Sequence, residues 1–152
     1  MPNAEVHDFE TLILAPFLGL VVMVLLGLEL AVVYTLATIG GGLFLSPDLD
    51  HQAGARCYRR WGPLRIIWWP YLRILPHRSA FSHWPVLGTA GRLLYLAVLA
   101  CPFLLYGVGA GTDWAPALWD WMDANRVELL VGVAGLETSA ILHFTADLCL
   151  RS

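Results

Sequence analysis

Asp48 and Asp50 stand two residues apart in Ser46-Pro47-Asp48-Leu49-Asp50-His51, at the end of a long apolar stretch broken by a single charge, Glu29. Carboxylates beside imidazole are the donor chemistry of divalent metals such as zinc, manganese or iron. His77 and His83 flank Arg78 and the short stretch Ser79-Ala80-Phe81-Ser82. His143 and Asp147 are spaced i, i+4, which puts both side chains on one face of a helix. Asp48 and Asp50 share a side if the backbone there is extended, and a turn could also bring them together. Each has an ordinary alternative, since aspartate after proline commonly caps a turn. A histidine at a membrane surface is also commonly just a hydrogen-bonding residue. Two histidines beside a carboxylate pair shift that balance towards ligation, with His51 a minor further candidate.

These residues are set in a strongly apolar chain, 58% hydrophobic and 14% charged. Soluble domains are close to a quarter charged, so the composition points to a membrane protein. The chain has no lysine, and six of its nine arginines lie between Arg56 and Arg78, among Trp61, Trp68, Trp69 and Tyr71. The three cysteines, Cys57, Cys101 and Cys149, are too few and too scattered for a disulfide framework. The acidic N-terminus lacks the basic region of a signal peptide, so the first apolar segment is expected to be retained.

The expected architecture is all-α, a single integral membrane domain over residues 1–152. Four transmembrane helices at 9–27, 30–47, 85–108 and 126–149 form a bundle, with an interfacial Arg/Trp-rich loop over 51–82 between helices 2 and 3. Leu12 to Leu45 as one helix would be about 50 Å long, too long for a hydrocarbon layer of roughly 30 Å. Two helices folded back near Gly27–Glu29 fit better than one long tilted helix. Pro47 biases Ser46 away from helical geometry and ends the second. Tryptophan, tyrosine and arginine together place the 51–82 segment at headgroup level. Gly107 and Gly111 form a GxxxG, a weak sign of close helix packing, and residues 109–124 read as a short acidic turn.

The arginine bias orients the chain, with the basic loop and both termini cytoplasmic. On that topology His7, Asp48, Asp50, His51, His77, His83, His143 and Asp147 all converge on one membrane face from remote segments. Glu137 and Arg92 lie deeper, where an unpaired charge is costly, and mutual neutralisation is the ordinary alternative to a functional role.

The motifs GGLFLSPDLD (41–50), RRWGPLRIIWWPY (59–71) and LPHRSAFSHWPVLGTAGRLLYL (75–96), with His7 before them and His143 and Asp147 after, resemble a family of small bacterial metal-binding membrane proteins common in cyanobacteria. The skeleton is similar to that of inner-membrane metal-dependent hydrolases. The resemblance implies a divalent metal ion held by His7, Asp48, Asp50, His77, His83, His143 and Asp147. The usual HRxxTHS of that broader group is here His77-Arg78-Ser79-Ala80-Phe81-Ser82-His83-Trp84, with the histidines one residue further apart. A more distant likeness to all-helical zinc phospholipases C and P1-type nucleases implies phosphoester chemistry.

The expected function is therefore a metal-dependent hydrolase in the bacterial inner membrane. It would act at the cytoplasmic face on a phosphoester or lipid-linked substrate, with metal-bound water as nucleophile. Arg78 would hold an anionic or phosphate group and Glu137 would act as acid/base or outer-shell partner. Membrane lipid is the expected partner, with a homodimer compatible. The alternative is a non-catalytic, metal-stabilised structural or regulatory membrane protein. A transporter fits less well, since no chain of ionisable groups crosses the membrane, and a nucleic-acid role fits poorly with the acidic balance and the lack of any recognition motif.

Overall fold

A computed structural model describes residues 4–51, 55–76 and 79–149, and these are all α. The helices are α1 (Ala4–Leu26), α2 (Leu28–Phe44), α3 (Arg56–Arg60), α4 (Trp69–Ile74), α5 (Ala80–His83), α6 (Leu87–Gly109), α7 (Trp114–Ala124) and α8 (Arg126–Cys149). Short 3₁₀ segments cover Pro47–Asp50 and Gly62–Trp68. Four stretches, Glu5–Leu26, Leu28–Asp50, Leu87–Gly109 and Arg126–Cys149, are long and apolar enough to cross a membrane by length and composition.

The first two long helices are separate, and one residue separates them. Gly27 has φ +93°, a backbone conformation side chains disfavour, and it reverses the chain between α1 and α2. The pairing is antiparallel. Gly19 faces Thr35 near the turn and Gly42 faces Thr11 near the open end. α2 and α8 run parallel and pack closely. A Cβ on Gly41 would lie 2.3 Å from Ser139 Oγ, and one on Gly135 would lie 2.6 Å from the Tyr34 carbonyl oxygen. Tyr34 Oη and Thr138 Oγ1 join the same seam at 2.8 Å.

The expected four-helix bundle is realised differently. α1, α2 and α8 form one packed unit, while α6 leans chiefly on α5 and touches α8 only slightly. The reason lies in where the glycines of α6 are used. Gly88 makes room for the Ser82 carbonyl, Gly91 for that of Phe81, and Gly107 for the Trp114 ring. The Gly107/Gly111 pair therefore serves the α6–α7 corner rather than a seam between long helices, with Gly111 at φ +64° in the turn. Residues 114–124, expected as a turn, form the eleven-residue helix α7, which has no buried residue.

Among the described residues, a cluster of buried apolar side chains lies outside the long helices. Leu49, Cys57, Tyr58, Trp68 and Tyr71 are buried together in a cap built by α3, α4 and the 3₁₀ segments at one end of the molecule. Trp68 packs against Tyr71 and Tyr95 at ring-centroid distances of 5.6 and 5.5 Å. The aromatic loop thus divides: Trp68 and Tyr71 turn inward, while Leu64, Ile66, Trp69, Ile74 and Trp84 stay exposed.

Candidate metal centre

The cap is fastened over one end of the long helices by charge. Arg60 donates to both carboxylate oxygens of Asp8, at 2.8 and 2.5 Å, and Arg56 pairs with Glu5. Arg60 also donates to the Leu43 carbonyl at 3.1 Å, and Trp61 Nε1 donates to that of Phe44 at 2.9 Å. The last carbonyls of a helix have no partner within it, so α3 closes α2 while gripping the first turns of α1. Donating to the Asp8 carboxylate raises the pKa of the Arg60 guanidinium above its ordinary value. α1 begins at Ala4 rather than after His7, so His7 rides on the helix itself.

Four segments deliver donors beneath this cap. α1 contributes His7. α5 ends on His83. α8 carries His143 and Asp147 one turn apart on a single face. The Pro47–Asp50 turn contributes Asp48. A 3₁₀ turn advances by about 120° per residue, so Asp48 and Asp50 diverge instead of sharing a side as an extended backbone would allow.

Two overlapping groups result, His7/His143/Asp147 and Asp48/His83/His143, each with one donor atom per residue and all those atoms within 4.8 Å of one another. His7 Nε2 lies 3.3 Å from Asp147 Oδ1. Asp48 Oδ1 lies 3.6 Å from His143 Nε2 and 3.8 Å from His83 Nε2. The His7 and His143 rings stack with centroids 3.9 Å apart. His7, His83, His143 and Asp147 are all buried, whereas the Asp48 side chain keeps 29% of its exposure.

The donor set fits a divalent metal ion. His7 Nδ1 and His143 Nε2 are buried without a hydrogen-bond partner among the described residues. A buried polar group left unsatisfied costs about 1–3 kcal/mol. A cation beside His143 Nε2 would relieve that cost and would neutralise Asp48 and Asp147 together.

The remaining sequence candidates are placed as follows. Asp50 joins neither group; its fully buried carboxylate reaches the far side of His83, 3.2 Å from Nδ1. His51 is exposed and belongs to neither group. His77 and Arg78 lie outside the described residues. Glu137 Oε1 accepts a hydrogen bond from the Val86 amide at 2.7 Å, holding a junction where Val86 has φ +66°. Arg92 is buried within electrostatic reach of Glu137, and donates to the Ser82 carbonyl at 2.8 Å and to Thr89 Oγ1 at 3.3 Å. The Asp8–Arg60 clasp was overlooked in the sequence, though acidic residues at Glu5 and Asp8 and basic ones at Arg56 and Arg60 each repeat at helical spacing.

A helical protein with a buried His/Asp centre at one end is the class that this fold and site define. The chain belongs to the family described as Uncharacterized metal-binding protein (DUF2227), whose model matches residues 2–152. No curated protein and no solved structure gives a significant match.

Proposed function

We propose that this is a four-span membrane protein in which one metal centre, drawn from His7, Asp48, His83, His143 and Asp147, ties the two chain ends to the cap. The role is structural or regulatory rather than catalytic. The observation that carries it is that four buried donors and the half-buried Asp48, from four segments remote in sequence, meet in two groups sharing His143. A bound divalent cation supplies the charge that holds two carboxylates and three imidazoles in one place. Such a site makes metal binding part of the folding free energy.

Several features support the membrane setting. The long helices bury small or polar residues in their seams, among them Ala15, Ala31, Thr38 and Ser139, and present Leu20, Val24, Leu36, Val98 and Phe103 outward. That arrangement is the reverse of a soluble bundle and suits lipid as the covering partner. Exposed Trp69, under the Arg73 guanidinium at 4.7 Å, and Trp84 give the cap the chemistry of an interface. The arginines of the cap lie at the metal end, which supports a reading with the metal end and both termini on the cytoplasmic side of a bacterial membrane.

Hydrolysis of a phosphoester is the second reading. Asp48, the most exposed donor, is the observation in its favour, because it opens one edge of the centre. Against it, Glu137 is engaged by the Val86 amide, and the other donors are closed over. Thermal unfolding in detergent with and without zinc or a chelator, beside phosphoester and phospholipid turnover assays, separates the two. The structural reading predicts a metal-dependent midpoint and no turnover. Turnover that disappears in His143→Ala would establish the hydrolase instead.

A further inference from the structure

We propose that Asp50 is a positioning residue for the metal centre: it fixes the tautomer and orientation of His83 instead of ligating the ion. This rests on the metal-centre reading above.

The geometry is specific. Asp50 Oδ2 lies 3.2 Å from His83 Nδ1, on the opposite edge of the ring from Nε2, which faces Asp48 Oδ1 at 3.8 Å. The Asp50 side chain is fully buried, and burying a carboxylate is costly unless it is paired. The Nδ1 proton, on a nitrogen 3.2 Å away, is one such partner. Ser82 Oγ, 3.4 Å from Nδ1, donates its own proton to the Ser79 carbonyl at 3.0 Å, so towards the ring it can only accept, which also favours the proton on Nδ1. A proton held on Nδ1 leaves the Nε2 lone pair directed at the centre. A carboxylate behind a ligating imidazole also raises its basicity, and loss of such a partner typically weakens metal binding 10–100-fold.

The Pro47–Asp50 turn explains why one motif supplies both roles. Its 3₁₀ geometry sends Asp48 to the metal side of His83 and Asp50 to the rear, so the two carboxylates bracket one ring. Arg92 donates to the Ser82 carbonyl, one residue from His83, at 2.8 Å and so steadies the backbone that carries the ring.

The test uses the full chain in detergent with Co²⁺ as probe, comparing wild type, Asp50→Asn and Asp48→Ala. Wild type should bind cobalt with a defined ligand-field spectrum. Asp50→Asn should keep the band pattern and bind cobalt about 10–100-fold more weakly, while Asp48→Ala should change the pattern itself. An Asp50→Asn spectrum altered as in Asp48→Ala would make Asp50 a ligand and overturn the proposal, as would unchanged affinity. Should Asp50→Asn fail to fold, NMR of isotope-labelled histidine in zinc-loaded wild type decides. A proton on His83 Nδ1 with metal on Nε2 supports the role, and the reverse overturns it. A wild type that takes up no cobalt would contradict the metal-centre reading, and this role with it.

Discussion

His7 Nε2 lies 3.3 Å from Asp147 Oδ1, which joins the second turn of the first helix to the last turns of the final one. The contact lies where the α1/α2/α8 unit meets the cap, so the two chain ends are held at the same place as the metal donors. Loss of metal should therefore be felt across the whole molecule. With zinc at about 100 times its Kd, the metal contributes about 2.7 kcal/mol to stability. The unfolding midpoint should rise with zinc concentration and fall on chelation. A midpoint insensitive to both would separate the site from the fold.

The Asp8–Arg60 clasp is predicted to act on both stability and metal. Asp8 neighbours His7, and Arg60 spans α1, α2 and α3. The pair is partly exposed, with Arg60 at 29%, so a bidentate charged pair should be worth about 1 kcal/mol here. A double-mutant cycle with Asp8→Asn and Arg60→Gln should return a coupling of about that size. Both single variants should also bind cobalt more weakly than wild type. Strictly additive effects would dismiss the clasp as surface decoration.

Close approach between α2 and α8 gives a paired prediction. In Gly135→Ala the new methyl would meet the Tyr34 backbone oxygen at 2.6 Å, which cannot move aside cheaply. Overpacking of this kind costs about 1–3 kcal/mol. Gly132→Ala, one turn earlier, meets nothing nearer than Val33 at 3.8 Å and should be neutral or stabilising by up to about 1 kcal/mol. Equal midpoints for the two variants in thermal denaturation would argue against the parallel α2/α8 seam.

Much of the long helices was legible in the sequence, whereas the α2/α8 seam was not. Glu29 and Gly27 divide two apolar runs, and Gly27 does turn the chain. The shared face of His143 and Asp147 followed from spacing alone. What escaped depended on contacts that no local pattern encodes. Asp48 and Asp50 diverge because Pro47 starts a 3₁₀ turn rather than an extended strand. Trp68 and Tyr71 are buried because the cap folds on itself, although their composition reads as interfacial. α6 stands aside because its glycines are occupied by α5 and α7.

Cys57 reports on the cap directly. Burial pushes its thiol up to about 12, so the thiolate is scarce at neutral pH. The folded state disfavours the thiolate, so the pairing of burial with a neutral thiol is retained at pH 7 and lost only as pH rises past the ordinary thiol range. With Cys101 and Cys149 replaced by serine, Cys57 should resist maleimide at pH 7 in the zinc-loaded protein and become reactive on chelation. Rapid labelling of the loaded protein would show that the cap is open.

The most direct test is elemental metal analysis of the purified protein beside His143→Ala, because His143 is the one residue common to both donor groups. The chain, purified without chelator and offered zinc, manganese and iron, should retain a divalent metal, and His143→Ala, folded by circular dichroism, should retain none. Equal metal in both proteins, or none in the wild type after reconstitution, would contradict the metal centre described here.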